Sequence, residues 1–176
     1  TGFNTANVLN FKNTFSNCTI FNRDISSWNT SSANNMSYMF YNVGSFNQNI
    51  SSWNTSSVTN MEQMFYSSND FDQPIGSWDV GNVTTMEKMF QASTDFDQNL
   101  SAWDLSSITN MANFMLQRTH LQFSSTNYDN LLYACVQGGQ LNVTLGMGTI
   151  KYTVSGQARR NTLISRGWTI TDGGLV

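Results

Sequence analysis

Two pairs of carboxylates stand one step of 25 residues apart in this chain, Asp72 with Asp97 and Asp79 with Asp104. Two carboxylates that converge in a cleft can divide general acid and general base work between them. Here a repeat already accounts for the spacing, so neither pair is read as catalytic. His120 is the only histidine. No Cys or Asp cluster accompanies it, which removes the usual zinc pattern and leaves a Ser-His-Asp triad without support. It reads as a surface or loop residue. Asn69, Asp70 and Asp72, and Asp95 with Asp97, place oxygen ligands in loops. Calcium wants about 6–8 oxygens, and the glycine-punctuated calcium loop is missing. The expectation is no catalytic residue, no metal site and no cofactor, with calcium as the minor alternative.

The elements that hold these side chains follow from the period. Trp28, Trp53, Trp78 and Trp103 are 25 apart, as are Phe21, Phe46, Phe71 and Phe96. Ile25, Ile50, Ile75 and Leu100 keep the same step, and so do Met36, Met61, Met86 and Met111, with Phe65 and Phe90 behind them. A strict period of this length is the signature of a solenoid in which each repeat is one coil. The coils expected are 1–20 (partial), 21–45, 46–70, 71–95 and 96–120. These residues are the expected core, since no single coil can bury its own apolar face.

Residues 46–70 show how one coil reads. Ile50, Trp53 and Thr55 alternate like a short strand. Thr59 followed by Glu62 looks like a capping box, and Met61, Met64 and Phe65 fall on one face of a short helix or 3₁₀ turn. Outward residues form two columns: Ser27, Ser52, Ser77 and Ala102, and Asn29, Asn54, Asp79 and Asp104. On a concave side they make either a ladder with Asn–Asn bonds between rungs or a binding face.

Periodicity ends near His120. Ser125-Thr126-Asn127 caps a helix that Gly138-Gly139 ends. Val143 to Leu145 reads as a strand, Ser155 caps a second helix that stops at Gly167, and Trp168 to Thr171 is a last strand. Residues 121–176 therefore form an α+β cap on the solenoid of 1–120, sharing its core, with Trp168 inside. Lys151, Arg159, Arg160 and Arg166 make this the basic end and read as a solvated helix face. Cys18 and Cys135 lie four coils apart, roughly 20 Å for strands at their usual spacing, so both are expected as free thiols.

Charged residues are 11% of the chain, far below the roughly 25% of ordinary domains, so solubility rests on Ser, Thr, Asn and Gln. A net charge of −3 gives no case for nucleic acid. No apolar run reaches the roughly 20 residues that span a bilayer, so no membrane insertion is expected. Phe3 occupies the Trp position of its coil, and the chain reads as a piece of something longer. Further repeats or a partner chain are expected to stack at its N-terminal end.

The run Asp24 to Ser32 (DISSWNTSS), followed by Asn35-Met36-Ser37-Tyr38-Met39-Phe40, resembles the repeat of BspA-like leucine-rich-repeat surface proteins of bacteria. That repeat is abundant in mycoplasma lipoproteins and in surface proteins of Bacteroidetes and marine bacteria, and similar arrays occur in phage virion proteins. The resemblance covers residues 1–120. Gly167 to Gly174 (GWTITDGG) also looks like the segment that closes such arrays, although Arg159 stands where the helix before it usually has Ala. The resemblance implies a leucine-rich-repeat-like α/β stack, each coil a short parallel strand plus a short helix or 3₁₀ turn. It implies an extracellular, cell-surface or secreted module that recognises a glycan or protein without catalysis, the alternative being a phage virion component or spacer. It supplies no binding residues. Ser27, Asn29, Ser52, Asn54, Ser77, Asp79 and Asp104 remain the candidates read from the columns themselves.

Overall fold

The computed structural model describes residues 3–176. From residue 3 to about residue 120 the chain is a run of turns, with neither helix nor strand before Asn110. In residues 46–70 the Oδ1 of Asn49, Asn54 and Asn60 accepts the N–H two residues on, from Ser51, Ser56 and Glu62. Between those points the chain folds back on itself: Trp53 N–H donates to Ile50 O, Val58 to Thr55, Met64 to Met61 and Tyr66 to Gln63. Asn supplies these turns because its side-chain carbonyl replaces a backbone acceptor.

Successive units lie side by side in parallel. Asn10, Asn35, Asn60, Thr85 and Asn110 bridge one to the next, each 25 residues on. Past this column, alternate N–H groups of one unit point at the next: Met36, Tyr38, Phe40 and Asn42 donate to the carbonyls of Asn60, Glu62, Met64 and Tyr66 at 2.7–3.0 Å. Such an arrangement needs left-handed residues at fixed places. They occur at Asn13, Tyr38, Gln63, Lys88 and Asn113, and again at Asn17, Asn42, Ser67, Ala92 and Gln117.

This corrects the two elements expected within each coil. No helix forms at Met61–Phe65, and the capping box is not made: Glu62 N–H goes to Asn60, and Thr59 Oγ1 donates to Asn34 O. A helix so short barely repays its nucleation, whereas the turn run gains a bond to its neighbour at every second residue. No strand forms at Ile50–Thr55 either; pairing falls ten residues later, at Asn60.

Side chains reinforce the stacking. The indole Nε1 of Trp53, Trp78 and Trp103 donates to the carbonyls of Ile25, Ile50 and Ile75 at 3.1–3.2 Å. Phe40, Phe65 and Phe90 stack at 5.4–5.6 Å, beside Phe46, Phe71 and Phe96 at 5.9–6.0 Å. On the surface, Asn22, Asn47, Asp72 and Asp97 form a ladder. In the first three the Oδ1 accepts both the N–H 25 residues on and the side-chain amide of Gln48, Gln73 or Gln98; Asp97 Oδ1 instead accepts from Ser124 N. The core columns named from the period are buried, except that Phe21 and Trp28, in the first of these coils, are only half-buried.

The C-terminal segment continues the same column. Its three short strands are β1 (Asn110–Met111), β2 (Thr144–Gly146) and β3 (Thr169–Thr171), a parallel sheet in the order β1-β2-β3. Asn110 pairs with Thr144, and Thr144 with Thr169. Helix α1 (Ser125–Gly138) has Ser124 as N-cap and Gly139, at φ 76°, as C-cap; α2 (Val154–Ser165) is capped by Thr153, not by Ser155. The start of α1 is fastened to the last unit through the ladder: Asp97 Oδ1 accepts from Ser124 N, Ser124 Oγ and Asn127 Nδ2 at 2.9–3.0 Å. All buried apolar residues of units and cap form one cluster.

Trp53→Ala is expected to lower the unfolding free energy by about 3–5 kcal/mol in denaturant titration. A loss under about 1 kcal/mol would contradict the buried indole. Asp97→Ala, which strips three donors of their acceptor, is expected to cost about 1.5–3 kcal/mol, and Asn22→Ala on the exposed rung distinctly less. Equal costs would mean that the cap does not hang on Asp97.

Candidate recognition surface

The two columns named from the sequence are exposed along their whole length. Their first oxygens, however, are engaged within the coil. Asn29 Oδ1 accepts from Ser31 N and Oγ at 3.0 and 2.8 Å, Asn54 likewise from Ser56, Asp79 from Gly81 N and Asp104 from Ser106 N. Asn–Asn bonds between rungs are not made in this column. Of the serines, Ser52 Oγ donates to Ser26 O, and Ser52 lines a shallow depression of about 300 Å³ with Asp24, Ser26, Gln48, Asn49 and Ser51.

Asp72 and Asp97 are rungs of the surface ladder, which gives each carboxylate a structural duty. His120 is exposed in a turn. Among the described residues no group of three His, Cys, Asp or Glu converges as metal ligands would. Cys18 is exposed, Cys135 is buried, and both thiols are free.

The basic end differs from a solvated face. Arg160 pairs with the buried Asp172 at 2.7 Å, and Tyr128 donates to that same carboxylate oxygen. Arg159 donates to Asp129 O and lies over Tyr133; Arg166 donates to Val136 O. These arginines bind α2 to α1. Deeper still, Arg118 is fully buried. It donates to the carbonyls of Thr94, Phe96 and Gln122, and burial lowers its pKa to about 10 against the pull of Asp97, Asp72 and Asp95. Arg118 occupies the position that Ser68 and Ser93 fill in earlier units, whose hydroxyls donate to Phe40 and Phe65 carbonyls.

A second surface was not among the sequence candidates. On the left-handed turns, Tyr41 stacks on Tyr66 at 4.8 Å and 15°, and Tyr38 leans on Tyr41 at 5.9 Å. Tyr38 Oη donates to Glu62 Oε1 at 2.6 Å and accepts from Gln63 Nε2 at 2.9 Å. Lys12 lies over the Tyr38 ring, and Lys88 pairs with Glu87 at 2.8 Å, holding that carboxyl below its ordinary range. These residues, Lys12 apart, are half-buried, so each offers an edge to solvent. The sequence carried a usable signal. Two columns whose side chains accept the turn N–H keep to small hydrogen-bonding residues, Asn29, Asn54, Asp79, Asp104 and Asn35, Asn60, Thr85, Asn110, whereas this surface reads Asn13, Tyr38, Gln63, Lys88 along one column and Ser16, Tyr41, Tyr66, Gln91 along another. Positions that vary inside a repeat are those the fold leaves free.

Compared with known proteins, residues 1–55 match the model of a family described as a Mycoplasma protein of unknown function, DUF285. No curated protein and no solved structure matches the chain. Among the described residues, no helix is long and apolar enough to cross a membrane.

The hydrogen bond to Glu62, with burial and the Glu62 charge, pushes the Tyr38 phenol up to about 12. The folded chain thus keeps a proton that the unfolded chain loses near pH 10. This contribution to stability is whole below about pH 10 and is lost as pH rises from about 10 to about 12. In a spectrophotometric titration, Glu62→Gln is expected to bring one tyrosine's ionisation to lower pH than in the parent. Superimposable curves would contradict the pairing.

Proposed function

We propose that this chain is the closing end of a leucine-rich-repeat-like solenoid of the BspA type, and that it serves as a non-catalytic recognition module outside the cell, on a surface or secreted. Its target is a cell-surface glycan or protein. The observation that carries this reading is the tyrosine surface. Tyr38, Gln63 and Lys88 hold left-handed backbone at φ 59°, 52° and 55°, where Asn13 and Asn113 sit comfortably in other units. The stack requires that backbone in every unit, but a bulky side chain on it costs roughly 1 kcal/mol or more over Asn, a cost the stack itself does not ask for. Stacked tyrosines beside a carboxylate and an amide suit a ligand with one flat apolar face and polar edges. Support for a non-catalytic role comes from Asp72 and Asp97, which serve as acceptors in a ladder. The match of residues 1–55 to a mycoplasma family fits a bacterial repeat of this kind.

A second reading, a structural part of a virion or surface assembly, is favoured by the uncovered apolar residues Phe3, Leu9 and Ile20 at one end of the molecule.

The test is binding of labelled protein to intact bacterial cells and to a polysaccharide panel. The parent is compared with a Tyr41→Ala/Tyr66→Ala variant and an Asn54→Arg/Asp79→Arg variant. Saturable binding that falls at least tenfold only in the tyrosine variant is expected. Loss only in the arginine variant would move the site to the Asn/Asp column, and no binding by the parent would favour the structural reading.

A further inference from the structure

The tyrosine surface carries one carboxylate that no cation answers. Among the described residues the ion pairs are Lys88 with Glu87 and Arg160 with Asp172, and Glu62 is in neither. Its Oε1 accepts from Tyr38 Oη at 2.6 Å and from Gln63 Nε2 at 3.2 Å, both neutral donors. Its Oε2 accepts from no described residue. The two bonds hold the half-buried carboxylate in place and leave one oxygen open. Tyr38 joins this group to the other rings: its hydroxyl is on Glu62, and its ring leans on Tyr41, which stacks on Tyr66. The Lys12 ammonium lies 5.5 Å over the Tyr38 ring and pairs with no carboxylate among the described residues. A cation therefore already rests on one ring of this surface, while the carboxylate beside that ring has none.

We propose that the tyrosine surface is a docking site for an arginine side chain of a partner protein. The inference rests on the reading of this surface as the recognition site, and narrows its target from a glycan or protein to a protein segment that carries arginine. A guanidinium is flat, permanently charged, and offers N–H donors but no acceptor. Its face lies over Tyr41 or Tyr66 while one arm of its fork donates to Glu62 Oε2. Lysine brings the charge without the flat face. An uncharged glycan brings a face and polar edges without the charge. Any ligand that covers the rings also takes water from Glu62, and a carboxylate stripped of water is costly unless a cation answers it. The wider charge distribution favours the same partner. Residues 1–120 hold nine carboxylates against four cations, and one of those four, Arg118, is fully buried. A surface of that sign draws a cationic segment toward it.

The test follows the tyrosine ring signals of the full chain by NMR as probes are added. The probes are a capped peptide of alternating glycine and arginine, its lysine and citrulline counterparts, and a panel of soluble polysaccharides. Citrulline keeps the shape of arginine and removes the charge. The arginine peptide is expected to move the Tyr41 and Tyr66 signals saturably, and to bind about tenfold tighter than the citrulline peptide. Glu62→Gln, which keeps an acceptor for Tyr38, is expected to weaken the arginine peptide by about tenfold. Asp70→Asn removes the same charge from an exposed position outside the tyrosine surface and is expected to leave binding within about twofold. The comparison of peptides uses the parent alone, so it stands even if a variant fails to fold. Equal binding of the arginine and citrulline peptides, or equal binding by the parent and a folded Glu62→Gln variant, overturns the proposal. Arginine and lysine peptides that bind alike overturn the assignment to a flat guanidinium. If a polysaccharide moves the tyrosine signals and the arginine peptide does not, the ligand is a glycan: the proposal fails and the reading it rests on stands. If neither moves them, the proposal fails, and cell binding by the Tyr41→Ala/Tyr66→Ala variant decides that reading separately.

Discussion

Every second peptide N–H along one stretch of each unit must face the neighbouring unit, and most of the structure answers to that requirement. An α-helix sends its N–H groups along its own axis, so it cannot serve. A regular strand sends them to alternate sides. A run of turns with a left-handed residue at every fourth place, as at Tyr38 and Asn42, sends them all one way. The inward side chains then stand in register with their counterparts 25 residues on, and the Phe and Trp columns follow.

The abundance of Asn, Ser and Thr has the same origin. Asn29, Asn35, Asn49, Asn54 and Asn60 each accept an N–H two residues on. Thr30 and Thr55 are buried and donate to carbonyls of the next unit, and Ser68 donates to the unit before. Where the step needs no hydroxyl, the Thr position becomes Val80 or Leu105, still buried. The polar composition is therefore chiefly internal wiring. The residues that depart from it, Tyr38, Tyr41, Tyr66 and Lys88, stand out for that reason.

The period and the inward residues were legible because burial repeats with the chain: Ile50, Trp53, Met61 and Phe65 are all inside. The local conformation was not. Met61, Met64 and Phe65 have helical spacing, but a run of turns also brings those positions to one side, and spacing alone does not distinguish the two. The cap helices were nearly legible in sequence, because Ser124 or its neighbour and Gly139 are conventional helix punctuation. Arg118 was hidden. A cation in the place of Ser93 looks like a surface substitution until the carbonyls of Thr94, Phe96 and Gln122 are seen to converge on it. The Asn and Asp columns were placed correctly on the outside, yet their spacing could not tell that Asn54 would turn its oxygen onto its own chain.

The parallel pairing of units also has a mechanical side. Because the backbone bonds run from one unit to the next, a pull on the two ends of the stack puts the contacts between units in series, each bearing the same force. Bonds loaded in series yield singly. Each unit that peels away releases 25 residues, or about 80–90 Å of extended chain. A tethered array built this way lengthens in equal steps under tension and leaves the rungs behind the breaking one intact, which makes it an extensible strap more than a rigid rod.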